Sequence, residues 1–210
     1  MGCGCADCEL PRYATVPTDV AECCAKTRGL RMSGAQDFRK SALSELSDEI
    51  GVYALCDLDG VPMYVGQSVD GIRSRVRRHL TSARSDIIAN RQVDVWEIAY
   101  VWAWPVAEKG DIEPLEAALF QRFDAQKPLM NGKVLPLREI EIHEPEKQII
   151  QVIEEAERSR RLRPDQRLER QIRQYGILVD YIQTVKSAPH LKRALDAHFE
   201  RLVSYHRTFL

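Results

Sequence analysis

Several absences narrow the class of this chain before any motif is read. No apolar run approaches the ~20 residues of a bilayer-spanning helix. The longest candidate, Ile98 to Ala107, is short, aromatic and interrupted by Pro105. The N-terminus has neither the basic start nor the apolar stretch of a secretory signal. Met1-Gly2-Cys3 is followed at position 6 by Ala, where N-myristoylation asks for Ser or Thr. The expectation is a cytoplasmic, intracellular protein without a membrane segment. Net charge is nearly absent too: 30 Lys and Arg against 31 Asp and Glu leave −1, so the overall balance selects no partner. There is no internal repeat and no low-complexity tract. Apolar residues are in ordinary supply at 44%, enough to bury a core without staples.

Cysteine is nearly missing beyond residue 24. Five of the six, Cys3, Cys5, Cys8, Cys23 and Cys24, fall before that point, and Cys56 sits alone in an apolar run. In a reducing cell such a cluster reads as a metal site rather than a disulfide framework. Cys5-x-x-Cys8 has knuckle spacing, and the other three could complete a tetrahedral Zn2+ site. An iron–sulfur cluster or a leader with inert thiols are the alternatives.

Positive charge, although balanced overall, is concentrated. Arg73, Arg75, Arg77, Arg78, Arg84 and Arg91 face only Asp86 in their stretch, and a second arginine cluster runs from Arg158 to Arg173. Phosphate contacts are local, so a neutral protein with such patches can hold a polyanion. The alternative is two solvated helix faces.

Periodicity places the elements. Asp37 to Ser47 fits a short helix with Leu43 and Leu46 on one side. Gly51 to Leu58 is rich in strand formers, Asp59-Gly60 signals a tight turn, and Val61 to Gly66 reads as the returning strand, starting at or after Pro62. Asp70 is placed to cap a helix from Gly71 to about Arg84, with Ile72, Val76 and Leu80 four apart. Val93 to Trp104 alternates as a third strand. Asp111 to Pro114 opens a helix that Lys127-Pro128 ends. Beyond Glu144 the pattern is helical to the end, broken at Pro164 and at Ser187-Ala188-Pro189. The order implies an α/β sandwich around a central antiparallel three-stranded sheet. It has a Cys-rich arm at 1–35, a core at 47–135 and a helical extension at 145–210.

Gly51-Val52-Tyr53 followed by Tyr64-Val65-Gly66 resembles the pair of tripeptides that names the GIY-YIG nucleases. Four further positions support the resemblance. Arg75 lies where the family places its catalytic arginine, one residue later than the commonest spacing. His79 follows four residues on, on the same helical face. Glu116, within Leu115-Glu116-Ala117-Ala118-Leu119, matches the metal-binding glutamate segment. Asn131, after Pro128, matches the asparagine that often ends the core. The likeness covers roughly 85 of the 210 residues. Gln67 departs from relatives that carry Lys or a small residue after the second tripeptide, which bears on phosphate contacts.

The resemblance implies a DNA endonuclease dependent on Mg2+ or Mn2+. Tyr53 and Tyr64 would be phenols serving a general base, Arg75 a phosphate clamp, Glu116 the metal ligand, and His79 and Asn131 site residues. The residue chemistry agrees. A phenol is a poor base at its ordinary pKa of ~10, and neighbouring positive charge makes it a better one. A guanidinium offers a planar, permanently charged fork. A single carboxylate suits magnesium, which keeps most of its waters. Each residue also has a plain structural reading: strand tyrosines, a solvated arginine, a helix-start glutamate, a turn asparagine. Arg73, Arg77 and Arg78 are candidate DNA contacts. So are Arg163, Arg167 and Arg170, whose helical spacing suggests a phosphate-tracking ridge, the alternative being a face paired with Asp165 and Glu169. Ile149, Ile150 and Ile153, and then Ile172, Leu178, Ile182 and Val185, read as apolar stripes that pack the extension on the core or pair two chains as a homodimer. Restriction, repair and mobile-element roles stay open. Outside the enzyme class stand a non-catalytic nucleic-acid-binding module and an interaction protein.

Overall fold

The Asp59-Gly60 turn draws two strands together at the centre of the computed structural model, which describes residues 34–136 and 144–210. Strand β1 (Gly51–Cys56) pairs antiparallel with β2 (Pro62–Ser68). Asp57 fixes the turn: its carboxylate accepts from the backbone N–H of Asp59 and Val61 at 3.0 and 2.9 Å. A bulge between Leu55 and Cys56 sets the register, so Tyr64 lies opposite Leu55 and Gly66 opposite Tyr53. Strand β3 (Tyr100–Pro105) pairs with the other side of β1.

The sheet has four strands in the order β2-β1-β3-β4, not three. The fourth, β4 (Gln148–Gln151), pairs antiparallel with β3. Ile149 and Ile150 therefore do not form a helical stripe with Ile153. In a strand they point to opposite faces, and Ile150 packs in the core while Ile149 is half exposed. The third strand is also shorter than its alternation suggests. Asp94 accepts from the Trp96 N–H and nucleates a 3-10 turn at Val95–Glu97 ahead of it.

Helices cover both faces. Helix α1 (34–44) precedes the sheet and contributes Leu43. Helix α2 (Ile72–Thr81) buries Ile72, Val76 and Leu80 against Tyr53, Leu55 and Met63. Its N-cap is Gly71 at φ 102°, without a side-chain cap, so Asp70 does not cap it. It stops at Thr81, short of Arg84, and a turn leads to α3 (Asp86–Ala89). On the opposite face α4 (Ile112–Asp124) buries Ile112, Leu115, Leu119 and Phe120 against Val52, Ala54 and Val65. The extension holds α5 (Glu155–Arg161), α6 (Pro164–Thr184) and α7 (Pro189–Phe209), broken where the prolines require. Helices α6 and α7 pack together and send Leu178, Ala194 and Ala197 into the α2-side core. Of the apolar stripe expected on α6, Leu178 is buried, but Ile172 and Val185 are 55% and 68% exposed.

The inward stripe of α6 is mostly polar: Arg167, Gln171, Gln174 and Leu178. Arg167 is 1% exposed, so it is no member of a surface ridge. It donates to Glu97 at 2.8 Å, to Asp59 at 2.7 Å and to the Tyr205 hydroxyl at 2.6 Å. Beside it, buried Arg201 of α7 donates to Asp57 and to the Pro62 carbonyl, both at 2.7 Å. Arg170 is taken up by Asp94, and only Arg163, paired with Asp165, lies on the surface. Buried acids on the hairpin and its neighbours require buried cations, which the extension supplies. Among the described residues no helix is long and apolar enough to cross a membrane.

Candidate active site

The face of β1 and β2 that meets α2 gathers three aromatic rings. Tyr53 and Tyr64 lie 6.4 Å apart between ring centroids, and His79 lies 5.8 Å from the first and 6.1 Å from the second. Gly66 makes the space. A Cβ there would stand 2.6 Å from the Tyr53 hydroxyl oxygen and 2.9 Å from Cε1 of Tyr64. Tyr53 is wholly enclosed, whereas solvent reaches Tyr64.

A buried hydrogen-bonded chain runs behind the phenols. The Tyr53 hydroxyl shares a hydrogen bond with Nε2 of His79 at 2.8 Å, and Nδ1 of His79 meets Oγ of Ser85 at 2.5 Å. Burial, with the charge of Arg75 beside it, pulls the His79 pKa down to about 4, so the imidazole is neutral at pH 7. A neutral ring has one donor and one acceptor nitrogen, and both are engaged. Ser85 carries no signal in the sequence. It stands alone in a turn, and only the fold carries it to His79.

Burial also pushes both phenols up, Tyr64 to about 12 and Tyr53 further. Arg75 opposes this in both cases. Its guanidinium therefore lies close to the phenols, and its Nε is buried without a hydrogen-bond partner. Glu116 arrives from α4 on the other face of the sheet, and its charge raises both tyrosines. Its own pKa is pushed to about 7, first by burial and then by Glu113.

Asn131 is built differently. Its side-chain oxygen accepts from the Val65 N–H at 3.0 Å, and its amide donates to the Val65 carbonyl at 2.6 Å. With both ends tied to the β2 backbone, it clamps the strand beside Tyr64. The structure thus brings together Tyr53, Tyr64, His79 and Arg75, sets Asn131 behind them, and holds Glu116 on α4 within electrostatic reach of both phenols.

Residues 49–129 match the GIY-YIG catalytic domain. No curated protein and no solved structure matches the chain. The GIY-YIG domain implies a nuclease-type endonuclease, and the mixed α/β fold with its small antiparallel sheet is consistent with that domain. The three rings, Arg75 and Glu116 all come from within the matched segment, and Asn131 lies two residues past its end. On the outer side of α2, Arg77 and Arg78 are exposed. Arg73 donates to the Leu46 carbonyl at 2.7 Å and lies 3.6 Å from Asp48. Arg73 and Arg77 also line a cleft of about 290 Å³ with Lys40, Leu43, Ser44 and Thr81. The cysteines expected to bind zinc, Cys3, Cys5, Cys8, Cys23 and Cys24, lie outside the described residues. Cys56 is a buried free thiol in the sheet.

Proposed function

We propose that this chain is a divalent-metal-dependent endonuclease that hydrolyses DNA phosphodiesters at the Tyr53, Tyr64, Arg75 and Glu116 site. The observation that carries the reading is Arg75. Its guanidinium is only partly buried, has no carboxylate paired with it among the described residues and stands beside two phenols, so an anion is the partner it lacks. A scissile phosphate would supply that partner.

Glu116 fits a metal ion. Burial and Glu113 hold its carboxyl near pKa 7, and a bound cation would offset both effects. Among the described residues no three His, Cys, Asp or Glu converge, so the set suits a hydrated Mg2+ or Mn2+ rather than an all-protein cage. Bound there, the ion would supply Lewis-acid charge at the phosphate. Once the charge of Arg75 and of a bound cation has drawn off its own proton to solvent, Tyr64, the phenol that solvent reaches, would as phenolate take a proton from the attacking water. Tyr53 and His79 hold it from behind. Arg77 and Arg78, with Arg73 at the cleft, would contact the flanking DNA backbone inside the cell.

The test is cleavage of plasmid and of branched and linear DNA by the full chain, with Mg2+ or Mn2+ and with EDTA. Metal-dependent cutting is expected. Loss of a proton-transfer or charge-stabilising group costs roughly 10²-fold or more, so Tyr64→Phe and Arg75→Ala should each fall by that amount. Glu116→Ala should bind DNA without cutting it. Failure to cut any substrate would leave a binding module. A larger loss in Tyr53→Phe than in Tyr64→Phe would move the base to Tyr53.

A further inference from the structure

Helices α6 and α7 turn a continuous apolar surface outward. Leu168 and Ile172 of α6 and Phe199, Leu202, Val203, His206 and Leu210 of α7 line a groove of about 280 Å³. Ile172, Phe199 and Leu210 are 55%, 52% and 85% exposed, a poor arrangement for three large apolar side chains in water. On α7, Phe199, Val203, His206 and Leu210 follow each other at intervals of four, three and four. This is the spacing of a seam that packs against another helix.

The edge of that seam carries Glu200 and Arg207. Both are exposed, and neither forms an ion pair among the described residues. They are seven residues apart, so they stand on the same edge of the helix, about 10 Å apart along its axis. When two antiparallel helices are related by a two-fold axis, each edge faces its own copy running the other way. An axis passing near Val203 and Ser204 would therefore place Glu200 of each chain against Arg207 of the other.

We propose that this chain forms a two-fold symmetric dimer through the α6–α7 face, with Val203 at the centre of the seam, Phe199 about one turn from it and two Glu200–Arg207 pairs at its edge. The proposal is independent of the nuclease reading, because none of these residues touches the Tyr53, His79 and Arg75 site. The apolar seam supplies the attraction, and the charge pattern selects a second copy and the antiparallel direction.

The test is sedimentation velocity on the full chain over a wide concentration range. A reversible monomer–dimer equilibrium is expected. Each single substitution strikes both pairs, because the two are related by symmetry. Glu200→Arg or Arg207→Glu should therefore weaken association about tenfold, while melting temperature at concentrations where the chain is monomeric, and DNA cleavage per monomer on single-cut substrates, stay unchanged. The double exchange, Glu200→Arg with Arg207→Glu, should restore the wild-type equilibrium. Phe199→Ser should leave monomers. A wild-type chain that stays monomeric throughout, or a double exchange no better than either single change, would overturn the proposal. Because mass rather than activity is read, an inactive but dimeric chain would sink the nuclease reading alone.

Discussion

Gly66→Ala puts a methyl group in place of a hydrogen where two tyrosine rings pass. The new Cβ would stand 2.6 Å from the Tyr53 oxygen, 2.7 Å from its Cζ and 2.9 Å from Cε1 of Tyr64. Comfortable contacts between such atoms lie near 3.5–4.0 Å, so a ring must move by on the order of 1 Å. Tyr53 has little room, since it is fully buried with His79 on one side and Tyr64 on the other. Overpacking of this kind costs about 1–3 kcal/mol. Gly66 has no positive φ, so alanine meets no backbone strain and recovers about 0.4–1 kcal/mol by restricting the unfolded chain. A net loss of about 1–2 kcal/mol lowers the melting temperature by roughly 2–8 °C in a protein of this size. Activity should suffer more. A shift of ~1 Å breaks the 2.8 Å contact between Tyr53 and His79, and misplacement of that order can cost about 10²-fold. Differential scanning fluorimetry and plasmid cleavage well below the melt would measure both. A variant with wild-type melting and wild-type cutting would refute the placement of the rings over Gly66.

Three further outcomes follow from groups already described. Arg167→Ala should cost about 3–5 kcal/mol in urea unfolding, because it leaves Glu97 buried without its cation while Asp57 keeps only Arg201, whereas Arg163→Ala on the surface should change little; equal, small effects would restore the surface ridge. Burial holds both His198 and His79 at pKa about 4, below the ordinary 6.5. The unfolded chain then takes up protons that the folded chain refuses, so stability should decline as pH falls from about 6.5 to about 4, and His198→Gln should flatten the decline; a flat profile in the parent chain would contradict it. At limiting Mg2+, cleavage should rise with pH through about 7 as Glu116 loses its proton, and raising Mg2+ should move the midpoint lower; a midpoint indifferent to Mg2+ would remove Glu116 from the metal.

The sheet centre was legible because its signals are local. Asp59-Gly60 between two runs of strand formers admits little besides a hairpin, and the tripeptides on that hairpin located Tyr53 and Tyr64. Helix α4 showed in its start at Asp111 to Pro114 and its stop before Lys127-Pro128. What was misread depends on distant partners. Strand β4 is four residues long, and two adjacent isoleucines suit a helix or a strand until β3 offers them an edge. Arg167 and Arg170 sit at helical spacing whether they face water or acids, and Asp59, Asp94 and Glu97 lie about 70 or more residues away in the chain. Ser85 likewise gains its meaning from His79, across a turn with no periodic pattern.

The buried arginines of α6 and α7 bear on how far the catalytic segment could be transplanted. Residues 49–129 carry Asp57, Asp59 and Glu97, but their counter-charges Arg167 and Arg201 come from outside that span. Strand β3 likewise takes its outer neighbour from Gln148–Gln151. A hybrid that grafted 49–129 onto a foreign DNA-binding partner would inherit acids with no cations and an open sheet edge. The helices after residue 145 would have to travel with the segment, so shuffling that leaves other modules intact would strand this one half-neutralised.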